Sequence, residues 1–388
     1  MAEDSPSPLE EEEKETPIQT CHDFEKVAKH RLPSYAWDYI SGGEADTMAR
    51  NRQNFALYSL RPRVLVDVSV IDTSCTLFGQ ACKIPFYLSS VAKGRLVTKE
   101  GERAFVRSAA KVKTSYLVPT VSSLPLKEVW SAAVEGQHLP FQFYLLNDEK
   151  QSFEALREAL ALGACAVVAT VDSNAPRMGA FRASTGTSTG GVFPSPLLTW
   201  KRLAEVRNFL PAHIPLYLKG VQTAEDGVQA AQMGVRGIIV SNHGGRACGD
   251  AWGCLSALED VAMGLRAAGW LGEGSTPSRT LELYYDSGVR SGRDAIKALC
   301  LGAQGIGLGR PYYWAAAYNG EEGIASLLDM LTAELQHAMA QAGANALGML
   351  QPSLLSRAGN RPVPCAEVSP CLGSSGWKQQ ETEFHSKL

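Results

Sequence analysis

Residues Pro215 to Arg246 read PLYLKGVQTAEDGVQAAQMGVRGIIVSNHGGR. The segment holds a complete strand–helix–strand repeat. Pro215–Gly220 is a short apolar strand that ends on Lys219 and a glycine, and Ala224–Met233 carries a helical pattern. Gly237–Asn242 is a second strand, whose Ile238-Ile239-Val240 core suits burial on both faces. Just past it stand His243, Gly244, Gly245 and Arg246. The glycines permit backbone angles that let a ligand approach closely. The imidazole and the fixed cation together suit an anionic substrate that must lose a proton. A guanidinium forks onto a carboxylate, and an imidazole accepts a proton near neutral pH. A lone histidine in a polar turn would carry no such meaning; here the rest of the chain repeats the pattern.

Working outward, the same rhythm extends both ways. Strand-like runs occur at Ile84–Ser89, Tyr116–Val121, Phe141–Leu146 and Ala166–Asp172 upstream, and at Leu281–Asp286 and Gly305–Gly309 downstream. Helical patterns separate them: Thr98–Val112, Leu126–Glu135, Ser152–Leu162, Leu198–Leu210, Cys254–Ala268 and Ser291–Leu301. Eight strands alternating with helices over about 230 residues predict a (β/α)8 TIM barrel rather than an open doubly wound sheet. The latter usually shows G-x-G-x-x-G after its first strand, which is missing here. Two N-terminal helices are expected, Thr20–His30 and one opening at SYAWDYISGG, followed by a strand-like piece at Val64–Val70. A long C-terminal helix, Glu321–Ala342, should follow the eighth strand. Residues 20–352 form the expected domain, between an acidic tail over 1–19 and a polar tail over 353–388.

Length, 388 residues, allows a large core, and 45% hydrophobic with 20% charged residues is the balance of a globular protein. A net charge of −3 points to neither nucleic acid nor an anionic membrane. No apolar run approaches the ~20 residues that span a bilayer. The nine cysteines are scattered without a C-x-x-C pair, which predicts a reducing compartment and neither a metal site nor a disulfide framework.

The barrel makes a demand: reactive side chains should collect where strands end. Tyr144, Asp172, Lys219, His243 with Arg246, Asp286 with Arg290, and Gly309-Arg310 all meet it. The seventh and eighth strands end in DSGVR and GIGLGR, a glycine–arginine pair suited to a phosphate. That predicts a phosphorylated cofactor at the barrel mouth. Lys219 suits a Schiff base or the stabilisation of negative charge. Asp172 suits the orienting partner of His243, or a loop cap. The STGTSTGG-bearing loop Ser173–Pro196 is either a lid or a plain insertion.

KGVQTAEDGVQAAQMGVRGIIVSNHGGR together with DSGVRSGRDAIKALCLGAQGIGLGRP resembles the FMN-dependent α-hydroxy acid oxidase and dehydrogenase family, from about Asp23 to near Leu350. That family includes glycolate oxidase and the flavin domain of cytochrome-linked L-lactate dehydrogenase; the resemblance is to the flavin module alone. It implies FMN as cofactor and oxidation of an (S)-2-hydroxy acid to a 2-oxo acid, with electrons passed to O2 or another acceptor. It implies His243 as base, held by Asp172, and Lys219 beside the flavin N1–C2 oxygen edge. Tyr39 and Arg246 would bind the substrate carboxylate, with Arg182 as a second substrate-facing cation, and Tyr144 would face substrate and flavin. Ser89, Gln142, Thr170 and Ser241 match flavin-ring contacts; Asp286, Arg290, Gly309 and Arg310 match ribityl and phosphate contacts. A homo-oligomer, a tetramer in the family, is implied as well. Alternatives are a flavin-dependent tailoring enzyme with a larger substrate, a flavin isomerase and a non-catalytic FMN-binding barrel.

Departures from the family pattern fall around the substrate. VPTVSS places Pro119 and Val121 where relatives often carry an indole, Asp172 is followed by SNAPRMGAFR, and Asp-Gly-Gly is Asp286-Ser287-Gly288. The pocket is therefore expected to admit a bulky 2-hydroxy acid. The chain ends in Ser386-Lys387-Leu388, the pattern read by the peroxisomal import receptor. Peroxisomal localisation is expected, with the cytoplasm as the alternative.

Overall fold

A computed structural model describes residues 17–173, 195–272 and 281–357, and the backbone of 361–362. Of the expected tails over 1–19 and 353–388, the described residues include only 17–19, 353–357 and the backbone of 361–362, and Leu355–Arg357 is not loose tail but a strand paired with Tyr58–Leu60. Arg182 with most of its loop, and Ser386-Lys387-Leu388, lie outside the described residues.

Three helices come first: α1 (Cys21–Arg31), α2 (Ser34–Ser41) and α3 (Ala45–Gln53). Thr20 opens α1 as expected: Asp23 Oδ2 accepts from the Thr20 N–H at 2.9 Å and from its hydroxyl at 2.8 Å. Strand β1 (Tyr58–Leu60) pairs antiparallel with Leu355–Arg357. The expected strand at Val64–Val70 does not form. Arg63 N–H donates to Ala342 O and Asp72 N–H to Asn345 O, so the segment is pinned at both ends across the last helical turn. Leu65 adopts φ 61° and is fully exposed. β-Branched composition favours a strand only where a neighbour completes the ladder.

The hairpin β2 (Cys75–Leu77) and β3 (Gln80–Cys82) closes one end of a barrel. The barrel itself holds β4 (Phe86–Leu88), β5 (Phe141–Phe143), β6 (Val167–Thr170), β7 (Leu216–Val221), β8 (Gly237–Val240), β9 (Glu282–Asp286) and β10 (Gly305–Leu308). All seven are parallel, in the order β4-β10-β9-β8-β7-β6-β5. Bridges from Leu88 to Tyr116 and from Val118 to Phe141 close the ring between β5 and β4. The segment at 116–118 is thus the eighth, shortest member of a (β/α)8 barrel. It stops there because Pro119 has no N–H to donate to a ladder. Between the strands run α4 (Glu102–Lys111), α5 (Leu126–Trp130), α6 (Glu149–Ala161), α7 (Trp200–Phe209), α8 (Ala224–Met233), α9 (Cys254–Ala267) and α10 (Gly292–Leu301).

Helix α11 (Arg310–Ala342) begins at once after β10, eleven residues before the expected start at Glu321. Asn319 and Gly320 leave the helical region and split it there. The stretch before the break, PYYWAAAY, is almost entirely apolar, and six of its residues are buried, so it lacked the polar face by which a helix is read.

Candidate active site

Parallel register sets the candidate residues in a ring. Thr170 lies opposite Lys219, Lys219 opposite Ile239, Val240 opposite Tyr285, and Gly307 opposite Asp286. Residues at the C-terminal ends of β6 to β10 therefore share one rim.

A continuous polar chain runs along it. His243 Nδ1 lies 2.8 Å from Asp172 Oδ1, and Ser173 Oγ is within 3.4 Å of both groups. His243 N–H donates to Ser241 Oγ at 3.0 Å, and the same oxygen accepts from Lys219 Nζ at 2.9 Å. Lys219 Nζ is 3.2 Å from Asp286 Oδ2. Ser89 Oγ donates to that oxygen at 3.4 Å, and Ser287 Oγ to Oδ1 at 2.8 Å. The hydroxyl of Ser287 also accepts from Gly244 N–H at 3.0 Å. A serine at this glycine position of the family pattern thus joins the two motif loops.

Lys219 is buried, and burial alone would lower its pKa. The carboxylates of Asp286 and Asp172 outweigh that cost and hold it above its ordinary value. Lys219 thus remains an ammonium, which suits the stabilisation of negative charge and not a Schiff base. The 2.8 Å contact suits a proton on His243 Nδ1 donated to the Asp172 carboxylate, the tautomer in which Nε2 is the nitrogen able to accept a proton.

Three backbone features make this geometry, and sequence reasoning passed over all of them. Gly220 adopts φ 112° beside a bulge in β7, and a Cβ there would come within 2.6 Å of the Asp172 side chain. His243 and Ser287 take φ of 59° and 86°, left-handed angles that are unusual outside glycine. A glycine directly after a strand-end lysine was the one available signal.

The remaining candidates form satellites. Gln142 Nε2 donates to Thr170 Oγ1 at 3.0 Å, and Gln142 Oε1 accepts from Thr120 N–H at 3.2 Å, so two of the four expected ring contacts are adjacent. Tyr144 lies close enough to affect the charge on Lys219. Arg246 Nη2 donates to Tyr39 O at 2.8 Å and Ile40 O at 2.5 Å, and its guanidinium lies 5.7 Å from the Tyr39 ring centre. The expected Tyr39–Arg246 pair is therefore assembled, on the last turn of α2. The Arg310 guanidinium is placed differently from expectation. It donates to the carbonyls of Ile40, Gly42 and Gly244 at 2.8–3.1 Å and fastens the α2 turn to the His243 loop. A phosphate contact from Arg310 then rests on the N-terminal turn of α11, which Gly309 and Arg310 open.

Arg290 is partly buried against Trp314, 4.7 Å from its ring centre, and desolvation lowers its pKa. Its Nη1 bonds the Val289 carbonyl, while Nε has no acceptor among the described residues. A guanidinium with a buried, orphaned Nε donor has the chemistry that a phosphate satisfies. With a rim of amide and hydroxyl groups and one buried ammonium, the residues present fit a flavin mononucleotide.

The fold and this site define a flavin-dependent oxidoreductase of the TIM-barrel type. Comparisons with known proteins agree. The family model "FMN-dependent dehydrogenase" matches residues 28–189 and 177–357. An L-lactate dehydrogenase (cytochrome) from Wickerhamomyces anomalus is 31% identical over 92% of this chain, and the chain spans 66% of that protein's length. The 2-hydroxyacid oxidase 2 of Rattus norvegicus is 32% identical over 87% of this chain and 98% of its own. Among solved structures, an arginine-to-lysine variant of flavocytochrome b2 superposes with a TM-score of 0.82 at 29% identity, over 95% of this chain and 94% of that one. A mandelate oxidase variant with (S)-mandelic acid superposes at 0.76 and 31% identity, over 86% and 97%. The chain belongs to the FMN-dependent dehydrogenase family, and its cofactor is FMN.

Proposed function

We propose that this protein oxidises the carbinol of an (S)-2-hydroxy acid to a 2-oxo acid. The observation that carries the reading is the 2.8 Å contact between His243 Nδ1 and Asp172 at the barrel rim, one hydroxyl away from a buried lysine. Tyr39 and Arg246 bind the substrate carboxylate. Asp172 fixes the ring of His243 and favours its protonated form, so that Nε2 takes the proton lost from the substrate. Lys219 holds a positive charge at neutral pH where the flavin ring is expected. Bound FMN supplies the two-electron acceptor. Arg290, the α11 N-terminus and Gly309 hold its phosphate; Gln142, Thr170, Ser89 and Ser241 hold its ring, and Asp286 its ribityl chain.

Names of relatives support this substrate class: 2-hydroxyacid oxidase in rat and mouse, and a peroxisomal (S)-2-hydroxy-acid oxidase in rice. The rice protein and the terminal Ser386-Lys387-Leu388 support peroxisomal import. A homo-oligomer is part of the same reading. The test is an anaerobic screen of 2-hydroxy acids for bleaching of the bound flavin, followed by admission of air. Bleaching by at least one (S)-acid is the expected result, and reoxidation by air identifies O2 as an acceptor. A flavin that no 2-hydroxy acid reduces would overturn the assignment.

A further inference from the structure

Tyr39 faces two cations. Arg246 lies 5.7 Å from its ring centre, and Lys93 Nζ lies 4.9 Å from the same centre. The role of Arg246 follows from the substrate carboxylate. Lys93 has no role in that scheme, and among the described residues its ammonium makes no ion pair.

The lysine is held in place from several sides. Its own backbone is left-handed, φ 66°, an angle that a side chain disfavours. Its N–H donates to Val121 O at 3.3 Å, so it stands against the residue expected, from the family pattern, where relatives often carry an indole. The buried carboxylate of Glu102 accepts from Gly94 N–H at 2.8 Å and Ser123 N–H at 2.7 Å, clamping the residue after Lys93 to the residue two past Val121. Arg95 N–H adds a bond to Ser123 Oγ at 3.0 Å. From behind, the Tyr313 hydroxyl reaches the carbonyls of Val91 and Ala92, and that of Tyr312 the carbonyl of Ser89. A loop fastened at so many points does not leave its lysine beside a substrate-binding tyrosine by drift. The arrangement keeps a strained backbone, and strain of this kind concentrates where ligands are gripped.

We propose that Lys93 is a specificity-determining residue that binds a second anionic group on the substrate, so that the preferred substrates are dicarboxylic 2-hydroxy acids. The small Val121 leaves room for a side chain longer than a methyl group, and the ammonium rewards a carboxylate at its end. Arg246 and Tyr39 keep the carboxylate next to the carbinol. This inference rests on the 2-hydroxy acid reading above.

The experiment uses the FMN-loaded protein and compares kcat/KM for (S)-2-hydroxyglutarate and (S)-malate with that for the neutral 5-amide of 2-hydroxyglutarate, in wild type, Lys93→Met and Lys93→Arg. The ratio of the better dicarboxylate to the amide should exceed one in wild type. It should fall about tenfold or more in Lys93→Met and recover in part in Lys93→Arg, the scale of a charge-assisted contact. Binding is read independently of turnover, from the change in the flavin spectrum as 2-oxoglutarate or pyruvate is added. Lys93→Met should weaken 2-oxoglutarate selectively. A wild type that prefers the amide, or a variant that changes acid and amide by the same factor, overturns the proposal while leaving the 2-hydroxy acid reading standing. A flavin that no 2-hydroxy acid bleaches sinks that reading instead. In that case, equal 2-oxoglutarate binding by wild type and Lys93→Met would also remove Lys93 as an anion site.

Discussion

Strand β9 carries a buried acid at each end, and the two are treated differently. Glu282 lies at the closed end of the barrel and Asp286 at the open rim. Around Glu282, Tyr217 OH and Tyr284 OH donate at 2.8 and 2.6 Å, and Arg236 Nε donates at 2.8 Å. Phe78, from the β2–β3 hairpin, sits against Tyr87, Tyr217 and Tyr284 with ring centres 4.9–5.3 Å apart. Burial and the nearby carboxylate push the phenols of Tyr217 and Tyr284 far above their ordinary range, so both stay un-ionised near neutral pH. That end is a plug of aromatic rings around a satisfied carboxylate. Around Asp286 the donors are an ammonium and two serine hydroxyls, and the ammonium is linked through Ser241 Oγ to the backbone N–H of His243. The same strand thus ends in groups that only hold the fold and in groups that charge and discharge. A barrel can carry the second set because the first closes the other end.

Three substitutions probe that contrast, in decreasing order of effect. His243→Ala removes the proton acceptor proposed at the rim and touches nothing at the plug. Substrate-driven flavin bleaching should slow by about three orders of magnitude, the scale of a lost general base, with melting temperature and flavin content close to wild type. Stopped-flow absorbance reads the rate; bleaching within tenfold of wild type would place the base elsewhere.

Lys219→Met leaves Asp286 buried without its cation, a loss of about 3–5 kcal/mol by the usual cost of breaking a buried pair. Denaturant titration and flavin stoichiometry should both fall. The pH dependence follows from the raised pKa of Lys219. A cation whose folded pKa lies above its unfolded value of about 10.4 adds stability that is complete below that pH. The contribution is lost as pH rises through the folded value. Wild type should therefore lose stability above about pH 10 more steeply than the variant, and parallel curves would remove the buried ammonium from the account.

Tyr217→Phe deletes one of the three donors to Glu282 while the other two remain, at a cost of about 1–3 kcal/mol. It should lower the melting temperature and leave the bleaching rate within about twofold of wild type, since no rim group is touched. A bleaching rate that falls as far as in His243→Ala would show the two barrel ends to be coupled rather than independent.

Much of the site was readable because catalysis demands particular residue types at particular places. A histidine and an arginine after β8, an aspartate after β6 and a lysine near the end of β7 stood out once a strand–helix rhythm showed that strand ends converge. Other parts were silent. Val64–Val70 reads as a strand, yet the ends of the segment are tied to the last residue of α11 and to the chain just after it. Arg310 reads as a phosphate ligand, yet its side chain binds carbonyls from α2 and the His243 loop, residues 66 to 270 positions away. Nothing in a local pattern announces such a partner.

The chain itself determined the alternation of strands and helices, the glycines that turn each loop, and the identity of the acid, base and cations. Those follow from side-chain size, β-branching and intrinsic charge, which act within a few residues. Tertiary structure decided which of them meet. Register in the parallel sheet placed Lys219 against Asp286, the bulge at Gly220 let Asp172 reach His243, and the clamp of Glu102 brought Lys93 to Tyr39. Those contacts depend on long-range pairing and on desolvation inside the barrel, and neither exists until the ring has closed.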